Sequence, residues 1–167
     1  ASLPVVLIGL NHKAAPLEVR ERLAFGPQRI PQVLHELLVD ESASIQETVV
    51  LSTCNRSEFY VCSPEIAQAE ACLLDFLAGY AGMQAARLQE MVYSLRGEAV
   101  AEHLMRVAAG LDSLILGENE ILGQVRCAAE TAQAAGTTGP ILSTLFRFAI
   151  QAGKRARAET EIGQSNI

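Results

Sequence analysis

The spacing of apolar residues changes period along the chain, and the changes mark out its elements. Pro4 to Leu10 is a short, nearly continuous apolar run ending at Gly9-Leu10-Asn11-His12, which predicts a buried strand feeding a polar loop. Glu18 to Ala24 predicts a short helix, stopped by Gly26-Pro27. Ile30, Val33, Leu34, Leu37 and Leu38 then recur at helical spacing, with His35 off the stripe and expected in solvent. Ile45 to Ser52 and Glu58 to Cys62 read as two strands flanking a polar pentapeptide. Pro64 suits a first helical turn. Ile66, Ala69, Cys72, Leu73, Phe76 and Leu77 mark the buried face of the helix it opens, Gly79 and Gly82 end it, and Glu90 to Leu95 supplies a last strand. From Gly97 the pattern is helical. One helix runs through Ala109, a loop follows from Gly110 to Gly117, and a second helix spans about Glu118 to Ala135. Thr137-Thr138-Gly139-Pro140 breaks it, and a final helix runs from Ile141 to about Glu159.

The order β-α-β-β-α-β predicts an α+β fold of the ferredoxin-like, split βαβ kind, in which an antiparallel sheet carries its helices on one face. A helical subdomain follows. The expected division is 1–96 for the ferredoxin-like part, 97–159 for the helices that complete the site, and 160–167 for the start of a connection. The final helix is apolar nearly all round between Ile141 and Ile150, which predicts burial against a partner. Lys154, Arg155 and Arg157 near its end match a C-terminal dipole.

A chain of 167 residues can bury a core unaided. Its net charge of -6 argues against holding nucleic acid mainly by charge, so any such contact must be local or supplied elsewhere. No signal-peptide pattern is visible, and Leu3 to Leu10 is too short to span a bilayer. Cysteines at 54, 62, 72 and 127 form no Cys-x-x-Cys pair and have no histidine at ligand spacing, so neither a zinc site nor a dithiol couple is indicated. A reducing cytoplasm is the expected setting. Cys72 and Cys127 read as packing residues, and Cys62 as either packing or functional.

Three polar constellations interrupt the apolar pattern. In Ser52-Thr53-Cys54-Asn55-Arg56, a thiol ends a buried strand with a guanidinium two residues on. Extended backbone would put Cys54 and Arg56 on one face, and a cation favours the reactive thiolate. A buried structural cysteine is the competing reading. The second constellation, Gly9-Leu10-Asn11-His12-Lys13, ends the first strand, and the two loops can meet at one edge of the sheet. Plain turn chemistry also accounts for Asn11 and His12. The third is the stretch from Gly110 to Gln124, preceded by His103. Its glycines, carboxylates and apolar residues without clear period suit a binding loop, and His103 borders a helix stripe as either a core-edge residue or a base.

At these three places the chain resembles the glutamyl-tRNA reductases, which make glutamate-1-semialdehyde for tetrapyrrole synthesis. The matching stretches are Gly9-Leu10-Asn11-His12-Lys13 with Ala15-Pro16-Leu17-Glu18-Val19-Arg20-Glu21, then Leu51-Ser52-Thr53-Cys54-Asn55-Arg56-Ser57-Glu58. The third is Gly110-Leu111-Asp112-Ser113 to Gly117-Glu118, continued by Ile121-Leu122-Gly123-Gln124-Val125. The resemblance implies that Cys54 attacks the ester carbonyl of glutamyl-tRNA to give a glutamyl thioester, which hydride from NADPH reduces to the aldehyde. It implies that Arg56 grips the substrate carboxylate, and that His103 orients the ester or passes a proton to the leaving ribose oxygen. Thr53, Asn55, Ser113, Glu118 and Gln124 become pocket residues, with Glu118 taking the ammonium group. Asn119 and Glu120 stand where the family usually has Pro-Gln, so an extra carboxylate enters the pocket.

No Gly-x-Gly-x-x-Gly follows a strand, so NADPH is expected to bind a domain outside this chain. The chain is expected to be the catalytic domain alone, able to form the thioester and hydrolyse the ester but unable to reduce it. The implied partners are glutamyl-tRNA, a second copy in a homodimer, and the next pathway enzyme, glutamate-1-semialdehyde aminomutase. Two other classes fit the residues. A cysteine acyl hydrolase or transferase would use Cys54 and His103 without redox chemistry, and a ferredoxin-like regulatory module would use neither.

Overall fold

The computed structural model describes residues 2–39, 44–111 and 120–165. Four strands, β1 (Val5–Asn11), β2 (Glu47–Ser52), β3 (Arg56–Cys62) and β4 (Tyr93–Arg96), form one sheet in the order β2-β3-β1-β4, every neighbouring pair antiparallel. That is the strand order of the predicted split βαβ. Helices α1 (Leu17–Leu23) and α2 (Ile30–Val39) join β1 to β2, while α3 (Ile66–Ala81) and α4 (Ala85–Gln89) join β3 to β4. Helices α5 (Glu98–Ala108), α6 (Ile121–Ala135) and α7 (Pro140–Ser165) complete the chain.

Central strands β1 and β3 are buried along almost their whole length, which is why they read as continuous apolar runs. Register assigns their two faces. Ile8, Phe59 and Val50 form one row, on the face where α1, α2 and α3 pack, and Phe25 meets Phe59 edge-on with ring centroids 6.0 Å apart. Leu7, Tyr60 and Val49 form the next row on the opposite face, under α5 and α7, where Phe146 meets Tyr60 edge-on at 5.1 Å. The ferredoxin-like helices thus cover one face and the later helices the other.

The outer edge of β2 is not left open. Thr48 N–H donates to the Thr137 carbonyl at 2.8 Å, and the Thr137 hydroxyl donates to the Thr48 carbonyl at 3.0 Å. Helix α6 lies beside the same strand and packs on α2. Together they protect an edge that would otherwise template pairing with another chain. The buried Glu47 carboxylate accepts the N–H groups of Gly139 (2.7 Å), Ile141 (3.2 Å) and Leu142 (2.8 Å). These are orphan donors at the start of α7, so a strand residue caps a helix 92 residues and more away.

Three expectations change. Helix α4 was not predicted; Leu88, fully buried, anchors that short turn of good helix formers and delays β4 to Tyr93. Gly79 sits inside α3, and the helix ends at Ala81 with Gly82 in the left-handed region at φ 69°. Helix α7 runs on to Ser165, so Lys154, Arg155 and Arg157 lie within it and not at its C-terminal end. Leu142, Leu145, Phe146 and Ala149 on α7 are buried against the chain's own sheet and helices, while Phe148 stays exposed. No helix among the described residues is long and apolar enough to cross a membrane.

Candidate active site

Cys54 occupies the turn between β2 and β3. Thr53 shapes that turn: its N–H donates to the Arg56 carbonyl at 2.8 Å, and its hydroxyl accepts the N–H groups of Asn55 (3.1 Å) and Arg56 (3.2 Å). Thr53 is buried, Asn55 half-buried and Cys54 exposed. The expected alternation of Cys54 and Arg56 along one extended strand therefore does not hold. The chain reverses at Cys54, and Arg56 is already the first residue of β3, buried at 3% exposure. The thiol is presented at a turn while the guanidinium is held in the sheet.

The first loop does meet this turn. The His12 N–H donates to the Asn55 carbonyl at 3.1 Å, and the His12 ring places Nδ1 2.9 Å from the Cys54 carbonyl and Nε2 3.1 Å from the Ser57 hydroxyl. A carbonyl only accepts, so Nδ1 carries the proton in that bond, and the Ser57 hydroxyl pairs with Nε2. Asn11 does what turn chemistry asks, its side-chain oxygen accepting the Lys13 N–H at 2.8 Å. Both readings of this loop describe part of it, since the turn brings His12 under the cysteine backbone.

Two residues beyond Arg56 on the same face of β3, Glu58 is fully buried. Its carboxylate gathers four groups from two strands and a helix. Tyr60 donates to Oε1 at 2.6 Å, Tyr93 donates to Oε2 at 2.6 Å, Arg56 Nη1 lies 3.5 Å from Oε2, and His103 Nε2 makes a short bond to Oε2. Burial works to raise the Glu58 pKa, but the bond and charge of His103 and the two tyrosine hydroxyls outweigh it and hold the carboxyl below the ordinary range. The anion in turn pushes the Tyr60 phenol, already disfavoured by burial, well above its ordinary value.

This network orients His103. With Nε2–H directed at a buried anion, Nδ1 has no hydrogen-bond partner among the described residues. The ring is half-buried and packs 5.5 Å from the Tyr93 ring. Tyr93 reaches Glu58 across an intervening strand, because Gly9 lies between them in register. A Cβ on Gly9 would stand 2.3 Å from the tyrosine ring. Glycine is needed there for close approach and not for backbone freedom.

Of the other predicted pocket residues, Ser113, Glu118 and Asn119 lie outside the described residues. Glu120 is exposed in the turn that opens α6, and its carbonyl accepts the Gln124 N–H at 3.0 Å. Gln124 is half-buried on α6 in a groove of about 140 Å³ shared with Ile30, Leu51 and Ser52. Cys127 borders the same groove and is exposed, contrary to its expected packing role, because the α6 stripe runs through Ile121, Val125, Ala128 and Ala132. Cys62 is a core residue whose thiol burial and Glu47 push up to about 12. Cys72 is partly buried against the core, as expected.

Sequence reasoning missed Glu58, Tyr60 and Tyr93 as site residues, and it placed Gly9 and His12 in the first-loop constellation without a role at the site. Glu58 had a signal: a carboxylate two residues from an arginine, next to the apolar Phe59-Tyr60-Val61, must find partners if that strand is buried. Tyr93 had none, since its link to Glu58 exists only through the strand order.

Comparison with known proteins gives one answer. The family described as "Glutamyl-tRNAGlu reductase, N-terminal domain" matches residues 8–160. The glutamyl-tRNA reductase of Chloroflexus aurantiacus is 47% identical over 161 residues, covering 95% of this chain and 37% of the relative. That of Geobacillus thermodenitrificans is 42% identical over 161 residues, covering 96% and 35%. The solved structure of glutamyl-tRNA reductase from Methanopyrus kandleri superposes with a TM-score of 0.72 at 34% identity, over 93% of this chain and 35% of that one. The chain thus spans little more than a third of the length of these relatives. Its matched residues include the cysteine turn, the glutamate network and His103, and the chain belongs to the glutamyl-tRNA reductase family, matching its N-terminal domain.

Proposed function

We propose that this chain carries the acyl-transfer half of a glutamyl-tRNA reductase reaction, with Cys54 as nucleophile. The Cys54 sulfur attacks the ester carbonyl carbon of glutamyl-tRNA, and the carbonyl π pair moves onto oxygen. Collapse of that intermediate breaks the bond to the ribose oxygen and leaves a glutamyl thioester. His103 Nδ1 takes the thiol proton and returns it to the ribose oxygen, while Glu58 holds the ring and stabilises the imidazolium between the two transfers. Arg56 binds the substrate carboxylate, and Asn55, Ser113, Glu118, Asn119, Glu120 and Gln124 shape the pocket around it. The observation that carries this reading is an exposed thiol on a turn whose next strand holds a buried arginine and the glutamate that orients an imidazole.

NADPH does not fit the described residues. The sheet is antiparallel throughout, and no strand feeds a Gly-x-Gly-x-x-Gly turn into a helix. The reduction to glutamate-1-semialdehyde is assigned to residues other than these 167. In this reading the chain on its own passes the glutamyl group from sulfur to water, releasing glutamate and regenerating the thiol.

The test is to incubate the chain with glutamyl-tRNA, quench, and map the adduct by mass spectrometry. A glutamyl mass on Cys54, lost in Cys54→Ser and retained in the serine variants of Cys62, Cys72 and Cys127, is expected. An adduct on another cysteine, or none, would overturn the assignment. Semialdehyde formed by this chain with NADPH would overturn the division of labour.

A further inference from the structure

A groove of about 480 Å³ runs between α6 and α7 over the middle of β2, away from the turn that carries Cys54. Helix α6 lines it with Arg126 and Gln133, and α7 with Arg147, Gln151 and Lys154, at spacings that keep each set on one helix face. Phe146 and Val49 form the floor. Three cations gather here in a chain whose net charge is -6. Among the described residues none of the three has a carboxylate within ion-pair distance, and Arg147 instead lies over the Phe148 ring, 5.7 Å from its centroid. Glu130 is the single carboxylate among the described lining residues, so the groove keeps a positive balance.

The rim is donor-rich over two helical turns, about 10 Å of rise. That chemistry suits consecutive phosphates and the hydroxyls beside them better than an apolar ligand. Position points the same way. Val49 in the floor lies three residues before the end of β2 at Ser52, about 10 Å along the strand, and Cys54 sits on the turn that follows. A nucleic acid whose ester is held at Cys54 therefore has this groove within reach of its first nucleotides.

We infer that the α6–α7 groove is a phosphodiester-binding site for the RNA of the acyl substrate, with Arg126, Arg147 and Lys154 as its charge contacts. The inference rests on the acyl-transfer reading above and adds a named surface to it. It supplies the local contact that an acidic chain needs.

The experiment measures RNA binding and acylation separately. Fluorescence anisotropy with uncharged tRNA, at several salt concentrations, reads the groove without any chemistry. Acylation by glutamyl-tRNA and by a small activated glutamyl ester reads Cys54 with and without RNA. In the triple variant Arg126→Ala, Arg147→Ala, Lys154→Ala, RNA affinity falls at least tenfold and the salt slope drops by about 2 to 3. Acylation by glutamyl-tRNA falls at least tenfold more than acylation by the small ester. Glu130→Gln, which removes the opposing charge, tightens RNA binding, a gain that a misfolded protein cannot show. Unchanged affinity and salt slope in the triple variant would overturn the inference, as would inorganic phosphate or a mononucleotide binding the groove while tRNA fails to compete. If neither ester acylates Cys54, the acyl-transfer reading fails, and the anisotropy arm still judges the groove.

Discussion

Replacing Gly9 by alanine tests whether the tyrosine that crosses β1 is what holds the Glu58 network together. The backbone at Gly9 is not in the left-handed region, so alanine meets no conformational objection and by itself would stabilise by about 0.4–1 kcal/mol through the unfolded state. The contact reverses that sign. The new Cβ would lie 2.3 Å from Cε2 and Cζ of Tyr93 and 2.5 Å from its hydroxyl, so the ring must leave its place. Leaving breaks its bond to the buried Glu58 carboxylate, worth about 1.5–3 kcal/mol for a charged acceptor, and unstacks it from His103. A net loss of about 2 kcal/mol is expected, or about 4–8 °C in melting temperature for a chain of this size. Urea denaturation of four proteins measures it: the parent, Gly9→Ala, Tyr93→Ala and the double variant. In the Tyr93→Ala background the alanine at position 9 has nothing to displace, and its effect should be neutral or stabilising. The coupling between the two sites should exceed about 1.5 kcal/mol. Equal cost of Gly9→Ala in both backgrounds would refute the close-approach argument.

Glu58→Gln probes the same network through pH. Its folded pKa lies below the ordinary carboxylate value, so it contributes stability that is present above about pH 4.3 and is lost as pH falls through the folded value. Denaturation midpoints measured from about pH 3 to pH 7 should show that acid-side loss in the parent and less of it in the glutamine variant, which at neutral pH is weaker by about 3 kcal/mol because Arg56 faces an amide. Glu47→Ala removes the acceptor of three N–H groups at the start of α7 and should cost about 1–2 kcal/mol or more. Hydrogen exchange checks it: the Gly139, Ile141 and Leu142 amides should exchange faster than in the parent while those of β1 hold, and unchanged protection would count against the cap.

Most elements were legible because their signals are local. Continuous apolar runs marked β1 and β3, a stripe of period 3.6 marked α2 and α3, and Gly136 in the left-handed region ends α6 where the sequence break was read. The failures are local rules overridden by packing or missing a breaker. The segment 85–89 forms α4 because Leu88 has a buried place to go, and α7 continues past Gly153 and through its basic residues because no proline follows Pro140 to break it. Cys127 was misjudged because half of the buried α6 stripe, Ala128 and Ala132, is alanine, which also occupies the outer face and so marks the inside weakly.

What the residues determined alone was the order of the strands and longer helices and the family, and through the family's motifs the candidate pair Cys54 and His103, since each signal is carried by neighbours in the chain. Only the tertiary structure decided how those residues relate. Placing Cys54 on a turn and Arg56 inside the sheet depended on where the hairpin reverses, which a two-residue spacing cannot reveal. Gathering Tyr60, Tyr93, Arg56 and His103 on one buried carboxylate depended on strand order, because Gly9 must lie between Glu58 and Tyr93. A buried charge is tolerable only when such partners converge on it, and residues up to 45 apart in the chain converge only once the sheet has formed.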